Sequence, residues 1–292
     1  MPDWPDFIFL SSKGMFIVKN KQITNPLFSV FEDAYTSANS VYMPFFGLSW
    51  NEENIFLGRR AQDKNRDIIE IYSKSFNRLS IVPFFFSDLH QILYYKNTLY
   101  ITDTGRDCVY KWDEHNIDKV FSLENHQYNR HINSLWFDNN DDLWLACHNW
   151  ASKNDRNSFC LQLDKSFDIV DRFDIGKDIH NVMVDRNYLY VCDSGNSIFY
   201  KINLFDKTDK SILFLSGFCR GLASTEKYLL VGSSPRMCKE QRMETCDCII
   251  YLIDKSSFNI VDKIVFQDIG MSVDLRIVNE PDLAHNKIVL RV

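Results

Sequence analysis

The stretch Asp88–Asp113, DLHQILYYKNTLYITDTGRDCVYKWD, decides the fold, because Asp178–Asn203 repeats it without a gap as DIHNVMVDRNYLYVCDSGNSIFYKIN. Asp88/Asp178, His90/His180, Asn97/Asn187, Leu99/Leu189, Tyr100/Tyr190, Asp103/Asp193, Gly105/Gly195, Tyr110/Tyr200 and Lys111/Lys201 are identical pairs, and most other positions exchange like for like. A passage that recurs at a fixed interval marks a recurring structural unit. Both copies alternate apolar and polar residues in short runs joined by Asn, Asp, Gly and Lys turns, the period-two pattern of half-buried strands.

Working outward, the same unit appears three more times. RHINSLWFDNNDDLWLACHNW, from Arg130, has the same opening with a longer turn and is completed by FCLQLDKSFDIVDRFDIG (159–176). GFCRGLASTEKYLLVGSS (217–234) is completed by CIIYLIDKSSFNIVDKIVFQDIG (248–270), and FFGLSWNEENIFLGRR (45–60) by DIIEIYSKSFNRLSIVPFF (67–85). Four short strands about every 45 residues, with no convincing helix, are the pattern of a β-propeller blade. Five blades are legible between about 45 and 269 on that period. The N-terminal hairpin FIFLSSKGMFIVKN and the C-terminal MSVDLRIV and HNKIVLRV are then expected to build a sixth from both chain ends, leaving no open sheet edge. Rings of five or seven also fit. The expectation is one all-β propeller domain over residues 1–292. Ile288, Leu290 and Val292 share one face of HNKIVLRV, so a chain ended at Ala284 is expected to be insoluble or partly unfolded.

The composition excludes several classes. Hydrophobic residues at 45% and charged residues at 25% are globular proportions, and 23 Phe, 13 Tyr and 6 Trp are enough to fill a large core. A net charge of -6 leaves no basic stripe for nucleic acid. No apolar run is long enough to span a membrane. The opening MPDWPDFIFL has acids where a secretion signal has basic residues, so a cytoplasmic protein with reduced thiols is expected. Cys108, Cys160 and Cys192 fall in strand-like runs and read as small buried apolar residues.

In a propeller the first strand of each blade lines the central channel, and its start shares a face with the turn between strands two and three. Aligned first strands put Phe46, His90, Asn133, His180 and Arg220 at one position. With Asp88, His131 and Asp178 at strand starts, and Asp103, Cys147, His148, Asp193 and Ser233 at the turns, four of the 7 histidines gather at one channel mouth. His90 and His180, with His131 or His148, form a candidate site for a divalent transition metal (Fe, Zn or Cu), with room left for water or substrate. Asp103 and Asp193 are candidates to orient imidazoles or move protons. The competing reading makes them turn residues bonded to nearby backbone, with Asp88 and Asp178 tying down the neighbouring histidines. Arg220 is a candidate clamp for a carboxylate or phosphate, or a neutraliser of the nearby acids. His115, His126 and His285 read as solvated outer-loop residues. Cys238, Cys246 and Cys248, beside Met237 and Met243, are a soft-metal composition without a zinc spacing, so a mobile loop with free thiols is the plainer reading.

LYVCDSGNSIFYKIN (189–203) and FLSGFCRGLASTEKYLLVGSSPRM (214–237) resemble a family of largely uncharacterised bacterial β-propeller proteins. Its signature of DSG, GFxRGLA and VGLS elements is matched by Asp193-Ser194-Gly195, by Gly217 to Ala223, and by Val231-Gly232-Ser233-Ser234, with Ser233 where the family has Leu. The resemblance implies a propeller and singles out His180, Asp193 and Arg220, but supplies no activity. At fold level the chain is also similar to lactonase and strictosidine-synthase-like propellers, which hold a divalent metal at the channel mouth through Glu, Asn and Asp. The histidines here depart from that set. Two functions follow as expectations: a metal-dependent enzyme acting on a small polar or anionic substrate, or a non-catalytic scaffold presenting a face to a protein or peptide partner.

Overall fold

The computed structural model describes residues 2–29, 45–61, 65–123, 131–148, 157–238, 241–242 and 244–278. In chain order, β1 (Phe7–Ser11), β2 (Gly14–Lys19) and β3 (Gln22–Ser29) begin the first blade. The second blade is β4 (Phe45–Trp50), β5 (Asn54–Arg59), β6 (Ile68–Ser73) and β7 (Arg78–Ile81). The third is β8 (Leu89–Tyr95), β9 (Thr98–Asp103), β10 (Cys108–Trp112) and β11 (Ile117–Ser122). The fourth is β12 (Ile132–Phe137), β13 (Leu143–Cys147), β14 (Asn157–Leu163) and β15 (Ile169–Lys177). The fifth is β16 (Ile179–Asp185), β17 (Tyr188–Asp193), β18 (Ile198–Asn203) and β19 (Lys210–Phe214). The sixth is β20 (Phe218–Ser224), β21 (Tyr228–Ser234), β22 (Cys248–Asp254) and β23 (Asn259–Phe266), and β24 (Ser272–Ile277) follows it.

These strands make six four-stranded antiparallel sheets, the architecture of a six-bladed β-propeller. β4, β8, β12, β16, β20 and β24 are the inner strands, and each packs against the next around the ring. β24 pairs with β1 in the order β24-β1-β2-β3, so both ends of the described chain close the first blade. The closing strand is therefore MSVDLRIV; HNKIVLRV lies outside the described residues. Phe7, Phe9, Leu275 and Ile277 are fully buried at this seam, and Phe9 stacks on Phe266 of the sixth blade at 6.0 Å between ring centroids. Among the described residues no helix is long and apolar enough to cross a membrane.

One irregularity recurs in all six blades and prepares the channel. The pairing of inner strand with second strand breaks between Phe45 and Leu48, Leu89 and Ile92, Ile132 and Ser134, His180 and Val182, and Cys219 and Leu222. It breaks again between Ser272 and Asp274 of β24. A bulge bends its strand and re-aims the side chains beside it. Inner-strand amides then bond across the seam to the preceding blade. Leu135 N–H donates to Gln91 Oε1 at 2.8 Å, Val182 to Ser134 Oγ at 3.1 Å, and Gly221 to Asn181 Oδ1 at 2.8 Å. Leu48 N–H donates to Asp274 Oδ2 at 3.3 Å, bringing the C-terminal strand into the same series.

Candidate metal centre

The channel histidines are presented by strained backbone. Asp88, His131 and Asp178, each two residues ahead of an aligned channel position, have φ of 59°, 42° and 49°. Left-handed geometry is uncommon for side chains other than glycine and gathers at functional sites. His131 thus holds in its blade the place that aspartate holds in the two repeat copies. From there the four imidazoles form a continuous arc. His90 and His131 rings meet edge to face at 4.6 Å, His131 stacks on His148 at 4.8 Å, and His148 meets His180 edge-on at 5.0 Å. Phe46 flanks His90 at 5.3 Å and Phe218 flanks His180 at 5.0 Å.

Hydrogen bonds sort these imidazoles by role. The residue following the second strand of a blade donates to a carbonyl of the next inner strand at four seams. Arg60 Nε reaches Leu89 O at 2.9 Å, Thr104 Oγ1 reaches Ile132 O at 2.5 Å, and Ser194 Oγ reaches Cys219 O at 2.5 Å. His148 Nε2 does the same to Ile179 O at 2.6 Å, so a seam bond orients its ring. His180 Nδ1 lies 2.9 Å from both Asp178 O and Ser194 Oγ. Ser194 has already given its hydroxyl proton to Cys219 O, so Nδ1 is the donor and Nε2 holds the lone pair.

His90 Nδ1 lies 2.9 Å from Asp88 O in the same way, and its Nε2 lies 3.2 Å from His131 Nε2. Among the described residues Asp88, His90 and His131 alone bring three metal-ligating atoms close together, all within 4.8 Å of one another. Two imidazole nitrogens bound tetrahedrally to one ion at about 2.0–2.1 Å stand roughly 3.3 Å apart. The His90–His131 pair fits that spacing. The arrangement chooses His131 over His148 as the close partner of His90, and places His180 at the far end of the arc. Burial, and next the charge of Arg60, hold His90 well below the usual imidazole range; burial and Arg220 do the same for His180. Neutral imidazole is the metal-ligating form.

The carboxylates of Asp88 and Asp178 pair with arginines, and it is their carbonyls that lie against the histidines. Arg60 Nη2 stands 2.5 Å from Asp88 Oδ1, with its guanidinium 3.7 Å over the Phe46 ring. Arg236 Nη2 stands 2.9 Å from Asp178 Oδ2, with its guanidinium 6.0 Å from the Phe218 ring. Two cassettes of Asp, His, Phe and Arg therefore bracket the arc. Sequence reading aligned Phe46 with the channel positions and found Phe218 in the GFxRGLA element without giving either a role, and it missed Arg60 and Arg236, because each lies in a blade next to its histidine and outside the repeated stretch. Only the position of Arg60 and Arg236 just after a second strand could have pointed to them.

Arg220 is different. It is 6% exposed, its guanidinium lies 4.9 Å from the Phe46 ring, and its side chain makes no hydrogen bond or ion pair with the described residues. Burial, then Arg60 and Arg242, bring its pKa down to about 9. Arg60 is matched by Asp88, Arg236 by Asp178 and Arg276 by Asp274. Arg220 has no such ion pair among the described residues, although Asp274 and Asp88 favour its charge from farther off.

Asp103 and Asp193 clamp the backbone upstream of their own inner strands. Asp103 accepts from Ser87 N–H at 3.1 Å and from Arg106 at 2.6 Å, while Gly105 N–H donates back to Ser87 O at 2.6 Å. Asp193 accepts from Lys177 N–H at 2.9 Å and Asn196 Nδ2 at 2.9 Å, while Gly195 N–H donates to Lys177 O at 2.7 Å. The two Asp-x-Gly turns thus fix the segments that carry Asp88–His90 and Asp178–His180. Burial pushes Asp103 up to about 6 and raises Asp193. Ser233 Oγ donates to Ser216 O, and Cys147 is buried in β13. None of the eight cysteines is in a disulfide; Cys238 is exposed, and Cys246 and Cys248 are buried. His126, Met243 and His285 lie outside the described residues.

No protein-family model and no curated protein matches the sequence. Solved structures share its fold. The chain aligns over 94% of its length with 98% of a chain from a nidogen/laminin complex, at 11% identity and a TM-score of 0.67. A Bacteroides caccae protein of unknown function aligns over 94% of this chain and 98% of its own, at 9% identity and a TM-score of 0.62. A luciferin-regenerating enzyme aligns over 76% of both chains at 13% identity and a TM-score of 0.55. An enzyme and a member of a protein complex thus share this fold, which leaves the site residues to carry the functional argument.

Proposed function

We propose that the chain is a metal-dependent enzyme, from the family of bacterial propellers whose DSG and GFxRGLA elements it resembles, that acts on a small anionic substrate at the channel mouth. The observation that carries this reading is the 3.2 Å approach of His90 Nε2 to His131 Nε2 beside the Asp88 carboxylate. His90, His131 and Asp88 would hold a divalent transition metal, which when bound supplies a Lewis acid to polarise a substrate oxygen. Arg220 receives the anionic group, since a buried guanidinium with no bond to another side chain among the described residues is preorganised for a carboxylate or phosphate. His180 offers a bare Nε2 to position or deprotonate a substrate hydroxyl. Asp103 and Asp193 are engaged in backbone clamps and are assigned no step.

Elemental analysis of untagged protein tests the proposal. The wild type should hold, or take up on reloading, a stoichiometric transition metal. His90→Ala and His131→Ala should each lose it, and His148→Ala should keep it. A wild type that stays metal-free after reloading overturns the reading.

A further inference from the structure

The proposed metal ligands are already attending to a cation, and it belongs to the protein. Arg60 Nη2 lies 2.5 Å from Asp88 Oδ1, 2.8 Å from His90 Nδ1 and 3.3 Å from His90 Nε2. One guanidinium nitrogen thus touches two of the three candidate ligands. A metal ion taking Asp88 Oδ1 and His90 Nε2 would stand against the Arg60 charge, whose Nη2 already lies 2.5 Å from that oxygen and 3.3 Å from that nitrogen, and two cations so placed repel. The imidazole has a second conflict. His90 Nδ1 sits 2.9 Å from Asp88 O, which can only accept, and 2.8 Å from Arg60 Nη2, which can only donate. A single nitrogen serves one or the other. If it accepts from Arg60, the proton moves to Nε2 and the lone pair facing His131 is lost. If it donates to Asp88 O, Nε2 is free to ligate, the tautomer that His180 already has in the other repeat copy.

The surroundings show where a released guanidinium can act. Arg60 and Arg220 lie against the same Phe46 ring, at 3.7 and 4.9 Å, so Arg60 need only exchange its hydrogen-bond partners to face the channel beside Arg220. The Arg60 charge is felt by Arg220, a repulsion that an anion held between the two would relieve.

Resting on the metal reading above, we infer that Arg60 is the resident cation of the Asp88–His90 seat and that a transition metal competes with it there directly. Its displacement frees Arg60 to join Arg220 in gripping an oxyanion, so the metal must enter before the anion is held tightly. The other cassette has no such resident cation on its histidine: Arg236 pairs with Asp178 and makes no hydrogen bond to His180 among the described residues.

Zinc titration of the full chain by calorimetry, with Arg60→Gln and Arg60→Met beside the wild type, tests the competition. Gln keeps a donor for Leu89 O and Met keeps the stem over Phe46, while both remove the charge. Either variant that folds should bind zinc at least tenfold more tightly than the wild type. Equal or weaker binding overturns the competition and leaves the metal reading standing; absence of zinc binding in every protein overturns the metal reading itself. In the wild type, imidazole nitrogen NMR should show His90 protonated at Nε2 without zinc and at Nδ1 with it. The same tautomer in both states overturns the switch, whether or not the variants fold. Sulfate is the probe for the second grip: zinc should tighten it at least tenfold in the wild type and much less in the Arg60 variants. Equal tightening in all of them removes Arg60 from the anion seat.

Discussion

Arg220→Met should make the protein more stable and less able to hold an anion. The guanidinium is buried, its pKa is brought down to about 9, and its surroundings include Arg60 and Arg242. At about 1.4 kcal/mol per pKa unit, keeping that cation charged at neutral pH costs on the order of 4–5 kcal/mol. Contact with Phe46 returns about 1–2 kcal/mol of this as a cation–π interaction, and Met recovers most of the buried apolar stem. Relaxation around a buried charge reduces the remainder, so the expected gain is about 1–3 kcal/mol. At roughly 2–4 °C per kcal/mol for a chain of this size, the melting transition should rise by several degrees. Urea unfolding at pH 7.5 measures the gain, and the same experiment with sulfate measures the loss: stabilisation by the anion should disappear. A variant destabilised by 1 kcal/mol or more would mean that Arg220 is a structural cation satisfied within the ring, and the reasoning from its buried charge would fail.

Other perturbations separate the frame from the site. Asp103 has a folded pKa of about 6, above its unfolded value of 3.8, so folding takes up a proton between them. The associated stability is present below pH 3.8 and lost as pH rises through about 6. Asp103→Asn abolishes this dependence, so its stability relative to wild type should improve by about 2–3 kcal/mol between pH 4 and 7.5; parallel pH curves would contradict the buried-carboxyl account. In Gly195→Ala the new Cβ would lie 2.4 Å from Lys177 O, a backbone atom that cannot yield cheaply. A loss of about 1–3 kcal/mol is expected in denaturant, and unchanged stability would show that the clamp is slack. Ending the chain before Met271 deletes β24, including fully buried Leu275 and Ile277, each worth about 1.5–3 kcal/mol of burial. Insoluble protein is expected, and a soluble product with an unchanged melting transition would show that the ring closes without it.

The ring was legible because strand period and repeat are local properties of the chain: the two copies from Asp88 and Asp178 carry the blade in their own alternation. His90 and His180 were legible for the same reason, as equal positions in equal units. The choice between His131 and His148 was not, since one precedes an inner strand, the other follows a second strand, and only the seam bond to Ile179 O separates them. Bulges were also invisible, because a bulge is a relation between two strands and leaves no fixed residue: Gly47, Gln91, Asn181 and Gly221 all sit in or beside one. Arg60 and Arg236 reach their aspartates from neighbouring blades, across a separation that no periodicity encodes.

The first blade has a timetable. β1, β2 and β3 leave the ribosome early, but the strand that stands between β1 and the channel is β24, made after every other blade. Until then the inner edge of β1 is unpaired, and Leu48 of the second blade lacks Asp274 as its acceptor. Contacts of such long sequence separation form late and leave an open edge exposed while they wait. The third to sixth blades, each continuous in sequence, can form as they emerge, so the arc from His90 to His180 can assemble in a crescent before the circle is shut. Closure then adds the strand beside Arg220 last, through the bond from Ser272 Oγ to Arg220 O at 2.6 Å. A nascent chain stalled short of residue 272 would carry the histidines in place while the carbonyl of Arg220 still lacked that bond.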